Sequence, residues 1–150
     1  MEIKLKKADF ADIEFLFYLR NIPEYYKFYK HPKPVGWEEH INWIIPILLE
    51  IDKRDLFIIM ANNQKAGQIR IDYSVDTAEI SIALIENFRG KNIGFEALKI
   101  AIKKAKKERN VNLFRAYVHQ NNIASQKLFE KSGYQLEDQE DVWLKYKLEN

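Results

Sequence analysis

The sequence predicts an α+β domain built on one mixed, mostly antiparallel sheet with a parallel strand pair, flanked by helices. Three observations predict it. Residues 55–61, 67–73 and 78–85 are β-type runs separated by Asn62-Asn63 and Val75-Asp76-Thr77, the pattern of an antiparallel meander. The third run is followed by Ile93, Ala97, Leu98, Ala101, Ile102 and Ala105 at helical spacing, and then by a further strand at 113–118. Such a β-α-β unit makes a parallel pair by a right-handed crossover. Finally, 150 residues that are 47% hydrophobic suit one sizeable core, so residues 1–150 read as a single domain.

In chain order, residues 3–6 form a first strand. Residues 9–20 form a helix with Phe10, Ile13, Leu16 and Phe17 on its apolar face. Tyr25-Tyr26-Lys27-Phe28-Tyr29-Lys30-His31-Pro32-Lys33-Pro34 follows, and its prolines break any helix. Residues 37–49 are helical again, with Pro46 expected to kink or restart the helix. After the meander come a helix at 92–107, the strand at 113–118, a short helix at 123–132 and strands at 134–136 and 142–147. The predicted order is β-α-α-β-β-β-α-β-α-β-β.

Composition removes several function classes. Lys and Arg total 24 against 22 Asp and Glu, a net charge of +2, so no general attraction to nucleic acid or anionic membrane is expected. The basic run Lys103-Lys104-Ala105-Lys106-Lys107 lies opposite the apolar stripe of its helix and reads as a solvated face. With no cysteine there are no disulfides, no thiolate metal site and no cysteine nucleophile. His31, His40 and His119 lack metal-like spacing, so no metal is expected. The start reads as a strand, not a signal peptide, and no run reaches the ~18 apolar residues of a membrane span. A soluble cytoplasmic protein is expected, without membrane insertion.

The chemistry concentrates in two segments. Arg89-Gly90-Lys91-Asn92-Ile93-Gly94 is a glycine-bearing loop between a strand and a helix, where unpaired N–H groups at the positive end of the helix dipole suit a pyrophosphate. About thirty residues on stands Asn122-Ile123-Ala124-Ser125-Gln126-Lys127-Leu128-Phe129-Glu130-Lys131-Ser132-Gly133-Tyr134. Together they resemble the GNAT superfamily of acetyl-coenzyme A-dependent acyltransferases. The first is similar to its pyrophosphate loop, Arg/Gln-x-x-Gly-x-Gly/Ala; the second to its Asn-x-x-(small)-x-x-Leu-(aromatic)-x-x-x-Gly-(aromatic) helix. The resemblance covers most of the chain. It implies acetyl-CoA as co-substrate and a parallel strand pair splayed apart to take the pantetheine arm. It places residues 89–94, the Leu84 N–H, Asn122, Ser125 and Phe129 at the cofactor. One departure is Asn92, which stands where the family has its first glycine; asparagine is the best non-glycine residue for a left-handed backbone.

Glu79, Ser81 and Ala83 share one face of the strand 78–85, and Ile80, Ile82 and Leu84 the other. A carboxylate on a central strand faces water or a functional cleft, because burying it unpaired is costly. The resemblance makes Glu79 the base that takes the amine's proton and the Leu84 N–H the group that polarises the thioester carbonyl. The structural alternative for Glu79 is a cross-strand partner for Arg70. Asn122 is also a helix N-cap by residue type. Phe129 replaces a tyrosine that protonates the thiolate in many members; Tyr134 or Ser125 takes that role, or the thiolate leaves unassisted. Without a cysteine, transfer is expected to go directly to the acceptor.

For the acceptor, Leu19-Arg20-Asn21, Trp37-Glu38-Glu39-His40-Ile41-Asn42-Trp43 and Gly67-Gln68-Ile69-Arg70-Ile71-Asp72 resemble amino-sugar nucleotide N-acetyltransferases of pseudaminic- and legionaminic-acid pathways. That implies a small-molecule amine, a sugar nucleotide by best match, held by Arg20, Asn21, His40, Arg70 and Asp72. Acetyltransferases of protein N-termini, polyamines and antibiotics carry related patterns, and a non-catalytic acyl-CoA-binding module is the opposing class. A homodimer is compatible with the sequence. The plain alternative is that Trp37 and Trp43 pack the second helix and the tyrosine run is a surface loop.

Overall fold

The computed structural model describes residues 1–51 and 53–149. In order these form β1 (Ile3–Lys7), α1 (Ile13–Arg20), α2 (Pro23–Tyr26), α3 (Trp37–Leu48), β2 (Arg54–Ala61), β3 (Gln64–Tyr73), β4 (Thr77–Leu84), α4 (Ile93–Arg109), β5 (Leu113–His119), α5 (Ile123–Lys131), β6 (Gln135–Glu140) and β7 (Trp143–Glu149). Single 3-10 turns at Phe10–Asp12 and Glu86–Phe88 precede α1 and the loop into α4. Among the described residues no helix is long and apolar enough to cross a membrane.

The strands form one sheet in the order β1-β2-β3-β4-β5-β7-β6. β4 and β5 are parallel, and every other neighbouring pair is antiparallel. This is the expected α+β architecture. The β2–β3 turn explains itself: Asn62 and Asn63 have φ of 48° and 66°, the left-handed pair that matches a two-residue hairpin to the twist of its strands. One element differs from expectation, and an alternative is removed at a second. α2 forms where only helix breaking is predicted, because Pro23 sits at its first turn, where a proline costs no hydrogen bond. Of the two outcomes expected for Pro46, restarting is removed, since α3 runs unbroken from Trp37 to Leu48.

The sheet is covered on both faces. Phe57, Ile59, Ile69, Ile71, Ala78, Ile80, Phe114 and Ala116 meet Ala97, Leu98, Ala101 and Ile102 of α4 in one core. Leu56 and Ile58 point the other way, toward Leu16 of α1 and Ile44 and Ile47 of α3. Burial on both sides is why β2 reads as a continuous apolar run rather than an alternating one. From Gln68 onward, past the bulge opposite Ile59 and Met60, the even-numbered residues of β3 and the odd-numbered residues of β4 therefore face α1 and α3. That face carries the polar side chains Gln68, Arg70, Asp72, Glu79 and Ser81.

Asp12 fixes α1 over this face. It is fully buried. Its two carboxylate oxygens lie 2.6 Å from Lys6 Nζ of β1 and 2.7 Å from Lys65 Nζ of β3. Oδ2 also accepts from the Asp9 N–H at 2.9 Å, closing a capping box with the Asp9 side chain. Burial alone would raise the Asp12 pKa, but the two lysines and the Asp9 N–H outweigh it and hold the group below its ordinary 3.8. A depressed carboxylate pKa stabilises the fold above the unfolded value, and that stability disappears as pH falls through the folded one. Asp12→Asn should therefore lower the unfolding free energy by about 2–4 kcal/mol at neutral pH in urea titrations. The gap to wild type should narrow below about pH 4. A neutral-pH difference under about 0.5 kcal/mol would show that the triad contributes nothing.

Candidate active site

The parallel ladder between β4 and β5 is short. It pairs Thr77 with Leu113, Ala78 with Phe114 and Glu79 with Arg115, and then stops, although both strands continue. Beyond it the strands diverge. The hydrogen bonds Ser74 N–H to Thr77 O and Ile85 N–H to Ala66 O set the alternation along β4. Odd-numbered residues bond β3, so the N–H groups of Ile82 and Leu84 point into the gap that β5 has left. Gly67 allows β3 to crowd this point: a Cβ there would lie 2.0 Å from Ala83 O.

The gap opens into a cavity of about 900 Å³. Its floor is Gln68, Arg70, Glu79, Ser81 and Ala83, its roof Arg20 and Trp43, and one wall Tyr25, Phe28, Tyr29 and Lys30. The far wall is β5, the start of α5 and the β6–β7 hairpin. Glu79 is half-buried. Burial pushes its carboxyl up, Asp72 beside it pushes the same way, and Arg70, Lys30 and Arg54 oppose. Arg70 is not its ion-pair partner: the Arg70 Nε lies 3.3 Å from Asp72 Oδ1, and Arg54 approaches the same oxygen at 3.5 Å. Among the described residues, no hydrogen bond or ion pair occupies the Glu79 carboxylate.

At the other end of the gap, Arg89 Nε donates to the Tyr25 hydroxyl at 2.9 Å and to Leu84 O at 3.3 Å, with the guanidinium 4.5 Å from the Tyr25 ring centroid. Burial raises the Tyr25 phenol, while Arg89 and the Leu84 N–H pull it down. The hydroxyl thus stands at the Leu84 amide, which has no strand partner. Next to it, Gly90 and Asn92 both take left-handed backbone, at φ 72° and 65°. α4 then starts with its first helical bond at Glu96 N–H to Asn92 O, leaving the N–H groups of Ile93, Gly94 and Phe95 without helical acceptors. Gly94 is buried against Leu84 and Leu128, where a Cβ would already be in contact. Lys131 of α5 donates to the Asn92 side chain, adding a cation to Arg89 and Lys91 around these amides.

Asn122 caps α5, accepting from the Ser125 N–H at 3.2 Å, and both residues line the cavity with Phe129. Tyr134 is elsewhere. It is 3% exposed and packs edge-on against Phe129 at 5.0 Å between ring centroids. Its phenol, raised by burial alone, has no hydrogen-bond partner among the described residues. Of the two replacement donors considered, only Ser125 reaches the cavity.

The predicted acceptor residues divide. Arg20 and Arg70 line the cavity. Asn21 does not: its side chain clamps the following loop, donating to Phe17 O and Val35 O and accepting from Val35 N–H at 2.6 Å. His40 is fully buried behind Arg20. Asp72 serves the two arginines. The acceptor role of these three does not rest on contact with the cavity.

The profile of the acetyltransferase (GNAT) domain matches residues 2–135. The chain belongs to this GNAT family. It is 32% identical over 152 aligned residues to the uncharacterized protein MJ1062 of Methanocaldococcus jannaschii, covering 95% of this chain but only 30% of that protein's length. It is 26% identical to the acetyltransferase PseH of Campylobacter jejuni, over 92% of this chain and 88% of PseH. A crystal structure of a domain from M. jannaschii superposes with a TM-score of 0.89 at 28% identity, covering 99% of both chains.

The β6–β7 hairpin, which follows the residues matched to the GNAT domain, supplies cavity residues that no local pattern in the sequence marks. Asp138, Glu140, Asp141, Trp143 and Lys145 all face the opening. The acidic cluster is visible in the sequence, but only the pairing of β7 with β5 brings it to the site. Phe28, His119 and Trp143 meet there in series, the first pair tilted and the second edge-on, at 5.2 Å and 5.5 Å between centroids. For the loop, Arg89→Ala should weaken acetyl-CoA binding about tenfold in calorimetry. Unchanged affinity would remove Arg89 from the phosphate site.

Proposed function

We propose that the chain is an acetyl-CoA-dependent N-acetyltransferase that passes the acetyl group directly to a primary amine, the 4-amino group of a nucleotide-linked amino sugar. The observation that carries the transfer reading is the Leu84 N–H, left without a strand partner inside the opened β4–β5 pair and met by the Tyr25 hydroxyl, beside a loop whose free amides and cations suit a pyrophosphate. The family match and the 26% identity to the acetyltransferase PseH support it. So does the resemblance at Arg20-Asn21, 37–43 and 67–72. The cavity's Arg20, Arg70 and Lys30 suit an acceptor carrying phosphate.

The chemistry then follows from the residues. The acceptor amine must be neutral to attack the thioester carbonyl, and Glu79, its carboxyl raised by burial, takes the proton. The Leu84 N–H donates to the carbonyl oxygen as negative charge develops there. The C–N bond forms, the C–S bond breaks, and coenzyme A leaves as its thiolate. Five residues of strand, roughly 16 Å, separate Glu79 from Leu84, so the proton travels along bound acceptor or water, with Ser81 on the same face between them. Phe129 cannot protonate the thiolate. Ser125 and Tyr117 are cavity hydroxyls that can, and a thiol pKa near ~8.5 also permits unassisted departure.

The acidic hairpin residues Asp138, Glu140 and Asp141 favour a second reading, a polycationic acceptor such as a polyamine. A thiol-release screen pairing acetyl-CoA with amino-sugar nucleotides, polyamines, aminoglycosides and short peptides separates the two. Turnover should appear on a 4-amino sugar nucleotide and fall about 10²–10⁴-fold in Glu79→Gln, with acetyl-CoA affinity unchanged. Turnover on spermidine alone would replace the acceptor assignment, and no turnover on any amine would leave an acyl-CoA-binding module.

A further inference from the structure

Arg20 ends α1 with its guanidinium stacked over Trp43, 4.3 Å from the ring centroid, on the roof of the cavity. Among the described residues no carboxylate forms an ion pair with it. Arg70, the neighbouring arginine of the floor, is by contrast engaged with Asp72. What holds Arg20 is a neutral acceptor. Its Nη1 lies 3.0 Å from His40 Nδ1, and His40 Nε2 lies 2.9 Å from Ile13 O.

These two partners assign the tautomer. A carbonyl oxygen only accepts and a guanidinium only donates, so Nε2 carries the hydrogen and Nδ1 the free lone pair. A second proton, on Nδ1, would remove the acceptor and set two cations face to face. Burial pushes the His40 imidazole below its ordinary range; the Ile13 carbonyl opposes this and the Arg20 charge adds to it, so the ring is neutral at physiological pH. The rings of Phe17, Trp37 and Trp43 enclose it at 5.3, 6.0 and 5.9 Å between centroids. With no exposed surface, His40 touches nothing in the cavity; it acts through Arg20.

We infer that His40 is a positioning residue that fixes Arg20 as a planar cation, with no carboxylate ion-paired to it, to receive a phosphoryl oxyanion of the acceptor. The inference rests on the acceptor proposed above and adds how that acceptor is recognised. A neutral partner keeps the full positive charge of Arg20 available, where a carboxylate would neutralise it. The guanidinium fork matches paired phosphoryl oxygens, and preorganising it avoids ordering a long side chain at the moment of binding.

The test is calorimetry with UDP-glucose on the full chain saturated with coenzyme A, so that the probe's phosphates do not bind at the α4 loop. UDP-glucose keeps its charge near neutral pH and is not acetylated, so binding is read apart from turnover. Arg20→Ala should weaken binding about 30-fold and His40→Ala about tenfold. In the Arg20→Ala background His40→Ala should have no further effect, since a positioning residue acts only through its partner. His40→Gln, whose amide both accepts and donates, should stay within about threefold of wild type. Additive losses, a His40→Gln loss as large as that of Arg20→Ala, or binding indifferent to Arg20 would each overturn the inference. So would absence of UDP-glucose binding; if amines are still acetylated, that failure leaves the transfer reading standing.

Discussion

Between Glu79 and Leu84 the sheet loses one of its ladders, and the rest of the site is arranged around that loss. A strand deep in a sheet normally has both rows of backbone groups paired, and an unmatched buried N–H costs about 1–3 kcal/mol. Here β5 departs after the Glu79–Arg115 pair, and the amides of Ile82 and Leu84 face an interior gap. The chain meets part of that cost itself, with the Tyr25 hydroxyl at the Leu84 amide under the hand of Arg89. A ligand carbonyl can take the same amide only by replacing a contact of similar kind. The gap can therefore exist in the free protein without collapsing, and in the proposed reaction an acyl group would take the place of the phenol.

Everything else holds the two sides of that gap in place. α4 packs the far face of the sheet with an unbroken apolar stripe and delivers its N-terminus beside Leu84. The left-handed Asn92 and buried Gly94 let the loop turn tightly enough to do so. The near face is polar by design of the strand alternation, and α1 and α3 close over it, pinned by the Asp12 triad at one end and the Arg20–His40 contact at the other. The resulting cavity is uneven in charge: arginines and Lys30 at the acceptor roof and floor, carboxylates on the β6–β7 hairpin. That unevenness is why an anionic acceptor and a cationic one are both chemically intelligible, and why the position of Arg20 decides between them.

Much of this was legible from the chain alone, where local rules suffice. The meander follows from three apolar runs and Asn62-Asn63; α4 follows from its periodicity; Asn92 adopts the left-handed backbone that its residue type favours. The face shared by Glu79, Ser81 and Ala83 is a direct consequence of strand period. What was not legible depends on distant partners. α2 hides in front of a segment whose Pro32 and Pro34 read as breakers, and Pro23 opens it from the first turn. β6 is exposed along its whole length, so no alternation marks it beyond residue 136. His40 on α3 and Asn21 just past α1 are polar residues near a site, and sequence offers no way to see that one is buried behind Arg20 and the other clamps Val35. Tyr134, polar at its tip, is enclosed by the core.

The central claim is that the diverging strands present the Leu84 N–H to an acyl carbonyl. Amide-resolved NMR during titration with acetyl-CoA reads it directly. The account predicts that the Leu84 amide shifts and gains protection from hydrogen exchange, with Ile82 following, while the Ser81 and Ala83 amides, already bonded to β3, stay unchanged. Saturable acetyl-CoA binding that leaves the Leu84 amide unmoved and unprotected would contradict it.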